Sequence, residues 1–413
     1  MPEIGRSIAV RLRLLAAALA LVALLVLAGA GLDRGQAASG MSAGARASIV
    51  GGAPGSLAGN PWLAFIAYRG EVEESGCGGA VVAPRLVLTA AHCVLTGTGR
   101  VAVAANFAVL TGVDDLRGAT RERLSRVSRV LVFPGYNPAR ILNDAALLVL
   151  AEPVTAPVLP LASAADEALL AQGTPVGIAG WGLTSFFPER APPLFREGQS
   201  LIRPAASCRR ALGRVFMRFA PAGQICVRSQ ARTGPGLCNG DSGGPAIVRR
   251  PDGSAVQIGI VSLKGSFDCS PRAPQVLARV DRVSPWVAAW AAAIEAGAPP
   301  PAVVVPKVEL PRLTRRAAEF IAALGLEADL GSRFSKGSGH RIGCRRLTRE
   351  KIKCAVFWLR GRDFYDGAIT VYTALPREGS IYNYRFTIRR FNFKCWLNSR
   401  RPIRSCHPRT FKH

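Results

Sequence analysis

The sequence predicts an all-β body followed by a small α+β module, and three observations carry that prediction. Short β-branched and aliphatic runs, punctuated by Gly and Pro, recur between residues 62 and 280. They do not alternate with long helical patterns, so they read as antiparallel sheets closed into barrels or a sandwich. The composition then changes at the proline-rich run 298–306, an extended linker, beyond which one helical stretch precedes several strand-like ones.

A chain of 413 residues exceeds one ordinary domain, and a hydrophobic fraction of 49% is ample for packed cores. Arg6, Arg11 and Arg13 precede an apolar run over 14–30 that closes on Ala28, Gly29 and Ala30, the pattern of a secretory signal peptide over 1–30. An uncleaved anchor is the competing reading, although the run is shorter than the roughly 20 residues a spanning helix needs. Residues 31–48 are rich in Ala, Gly and Ser without an apolar period and suit a propeptide. A secreted or periplasmic location follows. Ten cysteines in an exported chain argue for disulfides in an oxidising compartment. Zinc is disfavoured, because no Cys-x-x-Cys spacing occurs and the whole chain holds 4 histidines.

The expected strands lie at 62–68, 79–88, 101–111, 128–133, 146–150, 175–180, 257–263 and 276–280. Ser284 and Pro285, ahead of good helix formers to 294, look like an N-cap and first helical position. Within this body the run Cys238-Asn239-Gly240-Asp241-Ser242-Gly243-Gly244-Pro245 carries the chemistry. A serine hydroxyl needs a base to take its proton and donors for an oxyanion, and glycines let the backbone aim N–H groups at one point. His92 is the sole histidine between 49 and 297 and is the candidate base, being nearest neutrality in pKa. Asp144, at the mouth of an apolar run, is the candidate carboxylate to orient it. Asp114 and Asp115 are rivals in a turn-like stretch.

These runs, together with Ile49-Val50-Gly51-Gly52, Leu88-Thr89-Ala90-Ala91-His92-Cys93 and Asn143-Asp144-Ala145-Ala146-Leu147-Leu148, resemble in order the motifs of the trypsin-like, chymotrypsin-fold serine proteases. The resemblance covers about 49–297. It implies two six-stranded antiparallel β-barrels with a C-terminal helix and the site in the cleft between them. It further implies a secreted serine endopeptidase with a Ser242, His92 and Asp144 triad, an oxyanion hole from the Gly240 and Ser242 N–H groups, and no metal or organic cofactor. Cleavage before Ile49 would free an amino group to pair with Asp241. Until then an unpartnered buried Asp241 would be costly, and the chain would be a zymogen. Cys77 should pair with Cys93, Cys208 with Cys226, and Cys238 with Cys269. Ser262 matches a serine that bonds the triad aspartate.

Specificity departs from that of trypsin itself. Gly236 stands where an enzyme selecting Arg or Lys carries an aspartate, and Gln275 replaces a pocket glycine, so small or uncharged polar P1 side chains are expected. Asn239, Ser262 and Lys264 complete the expected pocket, Lys264 inviting an acidic P1. Ser48 fits such a pocket, which predicts self-cleavage before Ile49.

No family is recognised in the module over 307–413. Its helical spacing spans 312–326 and its strands 354–359, 368–374 and 381–390, the last with Tyr382, Tyr384, Phe386 and Ile388 alternating with polar residues. Cys344 with Cys354 and Cys395 with Cys406 are the expected pairs, though four cysteines allow three connectivities. The module holds 24 Lys/Arg against 8 Asp/Glu, hence +16 of the net +26. This points to an anionic partner, an envelope polymer or lipid surface, beside the reading of a merely solvated basic face. Nucleic acid is disfavoured by the export signal and the lack of a module motif. A secreted adhesion protein with an inactive or secondary protease fold is the alternative to an enzyme. Substrates on the enzyme reading are proteins or peptides.

Overall fold

The computed structural model describes residues 49–69, 76–96, 98–183, 193–214, 217–230, 234–264, 266, 269–299, 301–303, 310–374, 382–392 and 409–413. The expected signal peptide and propeptide, residues 300 and 304–306 of the linker, and Cys395 and Cys406 lie outside these residues.

After a short β1 (Ala53–Pro54), the first barrel is built from β2 (Leu63–Tyr68), β3 (Cys77–Ala83), β4 (Leu86–Thr89), β5 (Phe107–Thr111), β6 (Ser125–Val132) and β7 (Ala146–Leu150). They close in the order β2-β3-β4-β7-β6-β5. Where a single strand is expected over 79–88, the chain instead turns at Pro84 and Arg85 and pairs β3 with β4. Proline cannot donate to a ladder, which explains the break. Over 101–111 only the last five residues form strand, because a 3₁₀ turn at Ala104–Asn106 precedes them.

The second barrel comprises β8 (Pro175–Gly180), β9 (Arg196–Ile202), β10 (Gln224–Ser229), β11 (Pro245–Arg249), β12 (Ala255–Lys264) and β13 (Gln275–Arg279), with helix α1 (Ala205–Arg214) between β9 and β10. Pairing runs β9-β10-β13-β12-β11-β8, and β8 returns to β9 to close the ring, while β1 is appended to β9. Both barrels are antiparallel, as expected. Helix α2 (Ser284–Glu295) follows, but Ser284 is already inside it. A 3₁₀ turn at Val280–Arg282 runs straight into the helix, so Val283 takes the cap position without a side-chain bond.

An aromatic seam joins the barrels. Trp181, 1% exposed, meets Phe65 edge-on at 5.7 Å and Phe195 at 5.3 Å, and its indole N–H donates to the Asp114 carbonyl at 3.3 Å. Leu63, Leu110 and Leu116 of the first barrel pack into the same cluster. Removing such a buried indole would cost about 3–5 kcal/mol, so the seam fixes the cleft.

The C-terminal region forms helix α3 (Arg315–Leu330), a single turn α4 (Ser332–Ser335), and a five-stranded antiparallel sheet. Its strands are β14 (Ser338–Arg346), β15 (Lys351–Arg360), β16 (Asp363–Thr373), β17 (Tyr382–Asn392) and β18 (Arg409–Lys412), paired in chain order. Thr314 caps α3 by accepting from the Ala317 N–H at 3.1 Å. Ala318, Ile321 and Leu326 of α3 pack on Ile352, Val356, Trp358, Ile369 and Phe386 of the sheet. The approach is close: a Cβ on Gly325 would lie 2.6 Å from the Tyr384 ring. Cys344 and Cys354 face each other in register and form a disulfide.

Candidate active site

The pairing of β4 with β7 builds the first half of the site. Thr89 lies opposite Ala146, so the residues just beyond each strand end, His92 and Asp144, meet. His92 sits on a 3₁₀ turn (Ala91–Val94) tied back to β3 by the Cys77–Cys93 disulfide. The His92 backbone N–H donates to Asp144 Oδ1 at 2.9 Å, and Nδ1 lies 2.7 Å from Oδ2. Ser262 Oγ donates to the same Oδ2 at 2.6 Å. Asp144 is fully buried. Burial alone would raise its carboxyl, but the charge and hydrogen bonds of His92, with the bond from Ser262, outweigh it and hold the group below the ordinary value. An ionised carboxylate can only accept, so Nδ1 carries a proton, and in the neutral ring the lone pair is on Nε2. The rival Asp115 instead caps a 3₁₀ turn and pairs with Arg117 on the surface.

The second barrel supplies Ser242 on the turn before β11. The Ser242 carbonyl accepts from the Gly78 N–H at 2.7 Å, and the sulfur of Cys93, the neighbour of His92, lies 3.7 Å from it. Serine and histidine turns are thus pressed together across the cleft. Gly243, at φ +83°, is where they touch: a Cβ there would come within 2.2 Å of Thr89 Oγ1 and 2.5 Å of the Gly78 carbonyl. No other residue fits. Cys238–Cys269 ties this turn to the loop beyond β12, and Cys208–Cys226 ties α1 to β10.

Asp241 points the other way, into the second barrel. Its carboxylate accepts from the Gly182 N–H and the Cys238 N–H, each at 2.9 Å. Burial pushes its pKa up to about 7, against the opposing pull of these bonds and of Lys264. Ile49 is completely buried in the same barrel, and Val50 exchanges two backbone hydrogen bonds with Gly236. Ile49 stands at φ +48°, uncommon for a β-branched residue.

Four of the five expected pocket residues converge beside this turn. Gln275 and Lys264 are directly paired across β12 and β13, Lys264 Nζ donates to Asn239 Oδ1, and the Gln275 amide lies 3.3 Å from where a Cβ on Gly236 would be. Gln275 Nε2 donates to the Leu237 carbonyl at 3.4 Å, while its buried Oε1 has no hydrogen-bond partner among the described residues. Ser262 stands apart, on Asp144. Donor atoms of Cys77, His92 and Cys93 lie within 4.8 Å of one another, but both sulfurs are spent in a disulfide, which leaves no thiolate for a metal.

The Trypsin family model matches residues 49–287, more than half of the sequence. The chain belongs to the trypsin family. Human cathepsin G is 31% identical over 243 residues, covering 58% of this chain and 86% of cathepsin G. Serine protease filzig of Drosophila melanogaster is 30% identical over 252 residues, again 58% of this chain but only 14% of filzig. This trypsin-family enzyme is a serine endopeptidase acting on protein or peptide substrates.

Three residues of the trypsin-family site escape the sequence reading. Gly78 and Gly182 act through backbone N–H groups, which no side-chain motif announces. Tyr136 is buried near Asp144, with its hydroxyl unpartnered among the described residues and its pKa raised by burial and then by the Asp144 charge. A lone tyrosine in the segment before the aspartate motif was its only sign.

Proposed function

We propose that this endopeptidase works through Ser242 as nucleophile, His92 as general base and then acid, and Asp144 as the orienting carboxylate. The observation that carries the reading is the buried His92 and Asp144 pair at 2.7 Å, with Ser262 on the same oxygen. Ser242 Oγ attacks the scissile carbonyl while Nε2 takes its proton. The oxyanion is met by the Gly240 and Ser242 N–H groups, and the proton passes to the leaving amine. Water, activated by the same nitrogen, then releases the acyl group.

The enzyme is exported by a signal over 1–30 and held inactive by a propeptide over 31–48. Cleavage before Ile49 supplies the ammonium that Asp241 lacks. The pocket over Gly236 is filled by the Gln275 amide, which disfavours Arg and Lys and favours small or uncharged polar P1 residues, Ser48 among them. Lys264 is drawn to Asn239, which leaves it less available for an acidic P1. The basic region 307–413, beyond a linker over 298–306, holds the protease on an anionic surface outside the cell. Among the described residues no helix is long and apolar enough to cross a membrane.

Two experiments test this. An organophosphate should label Ser242 in the cut enzyme and fail on Ser242→Ala; labelling elsewhere would remove the mechanism. Wild type and Ser242→Ala should be expressed without other proteases and their N-termini sequenced. An Ile49 start in the mutant, or faster cleavage after Arg than after Ala or Ser in the wild type, would remove the specificity and self-activation readings.

A further inference from the structure

The C-terminal sheet is two-faced. Its inner face is packed under α3, whereas the outer side chains are exposed or half-exposed. Directly paired residues of antiparallel strands point the same way, so the register sorts the outer face into rows running across the strands. One row reads Gly343, Ala355, Ala368, Thr387 and Lys412, one residue from each of the five strands. These are small side chains until the last strand, and a Cβ added to Gly343 would meet nothing within 4 Å. The row on one side holds Arg345, Lys353, Thr370 and Arg385. On the other side stand Arg341, Phe357, Asp366 and Arg389. The outcome is a shallow trough about 19 Å long, at about 4.8 Å per strand, floored by small residues, railed by three cations on one side and flanked by Arg341 and Arg389 at the ends of the other. Its one acid, Asp366, is 3.3 Å from Arg389.

We propose that this trough binds a linear anionic glycan, one bearing sulfate or carboxylate groups along its length; the inference rests on the reading of the basic region as anion-binding. A polymer laid across the strands would have cations on both sides, which suits a chain whose charged groups point alternately left and right. Arg341, Arg345 and Arg385 present guanidinium forks that match such oxyanions, while Arg389 is shared with Asp366. Single-stranded nucleic acid fits less well, since it needs aromatic faces for its bases. The nearby rings are engaged with one another: Phe364 stacks on Phe391 at 4.9 Å, and the Arg389 guanidinium lies 5.4 Å over Phe391. A lipid surface would want apolar groups that protrude, and here the apolar floor is recessed.

The test uses the full-length protein and heparin oligosaccharides as probe, with peptide hydrolysis reporting an intact fold. Removing the rail in Arg345→Ala/Lys353→Ala/Arg385→Ala should weaken heparin binding about a hundredfold and flatten its salt dependence. Gly343→Phe, which fills the trough without changing charge, should weaken it roughly tenfold. A control removing three cations on the helix side, Arg312→Ala/Arg316→Ala/Lys336→Ala, should change it little. If the control loses as much as the rail variant, the trough is overturned while general anion binding stands. If the wild type binds no heparin at all, the anion-binding reading itself falls. Tighter binding of single-stranded DNA or of anionic vesicles than of heparin would overturn the glycan assignment.

Discussion

Asp144 and Asp241 are both fully buried aspartates, and their surroundings send them in opposite directions. Asp144 faces a histidine ring and a serine hydroxyl, which together outweigh its desolvation and keep it ionised. Among the described residues Asp241 has two backbone N–H groups and a more distant ammonium, and burial wins, raising its pKa to about 7. The difference teaches that two hydrogen bonds from neutral donors do not offset burial of a carboxylate, whereas an ionisable partner in contact does. Asp144 is complete as it stands. Among the described residues Asp241 has no cation in contact, a condition that the amino group freed by the proposed cleavage before Ile49 would relieve.

The sharpest way to break this contrast is at Asp144. Asp144→Asn should reverse the favoured His92 tautomer and cost about four orders of magnitude in kcat, with little loss of fold by circular dichroism. Near-normal kcat would mean that another group orients His92. Next comes Asp241→Asn, which removes the carboxylate that holds the turn of the proposed oxyanion hole and should lower kcat/KM of the cut enzyme by about two to three orders of magnitude. If the loss appears only in KM, Asp241 serves binding and not the turn.

Stability against pH separates the two sites by sign. For Asp241, the folded pKa of about 7 exceeds the ordinary 3.8, so between these values the unfolded chain has released a proton that the folded chain still holds. The uncut protein should therefore lose stability as pH rises from about 4 to about 7 and lose no more from this group above that. Asp144, with its lowered pKa, contributes the reverse: stability present above about pH 4 and lost as pH falls through its folded value. Melting temperatures of uncut Ser242→Ala, with and without Asp241→Asn, check this; an unchanged slope in the double variant would sink the assignment. Smallest of all should be Ser262→Ala, which deletes one bond to an ionised group and should cost roughly tenfold in kcat.

Residues that act through side chains in contiguous runs were legible in the sequence. His92, Asp144, Ser242 and Asp241 each sit in a short motif, and Ser262 is expected from the resemblance of its strand to the family's. Even the Cys344 and Cys354 pair could be read from nearness alone. What stayed hidden depends on backbone groups and on register. Gly78 and Gly182 contribute only N–H donors, and the cross-strand meeting of Lys264 with Gln275 is set by a register shift between Val261 and Leu263. Strands β9, β10 and β11 also went unread. Arg196, Glu197 and Gln199 interrupt the apolar pattern of β9, and β11 opens on the end of the serine motif. For β14 the obstacle was charge: Arg341, Arg345 and Arg346 look like loop until the pairing with β15 shows which face they occupy.

The pairings that assemble the site span long stretches of chain. His92 and Asp144 are 52 residues apart, Ser262 and Asp144 are 118 apart, and Cys93 reaches the Ser242 turn across 149. Contacts between such distant segments carry a larger loop-closure entropy than local ones, which favours their forming late in folding. If the chain is exported as proposed, it would emerge with the Ser242 and His92 turns on separate, unclosed barrels, and proteolytic capability would arrive only with the docking of one barrel on the other. On that reading, folding order would guard the cell ahead of the proposed propeptide.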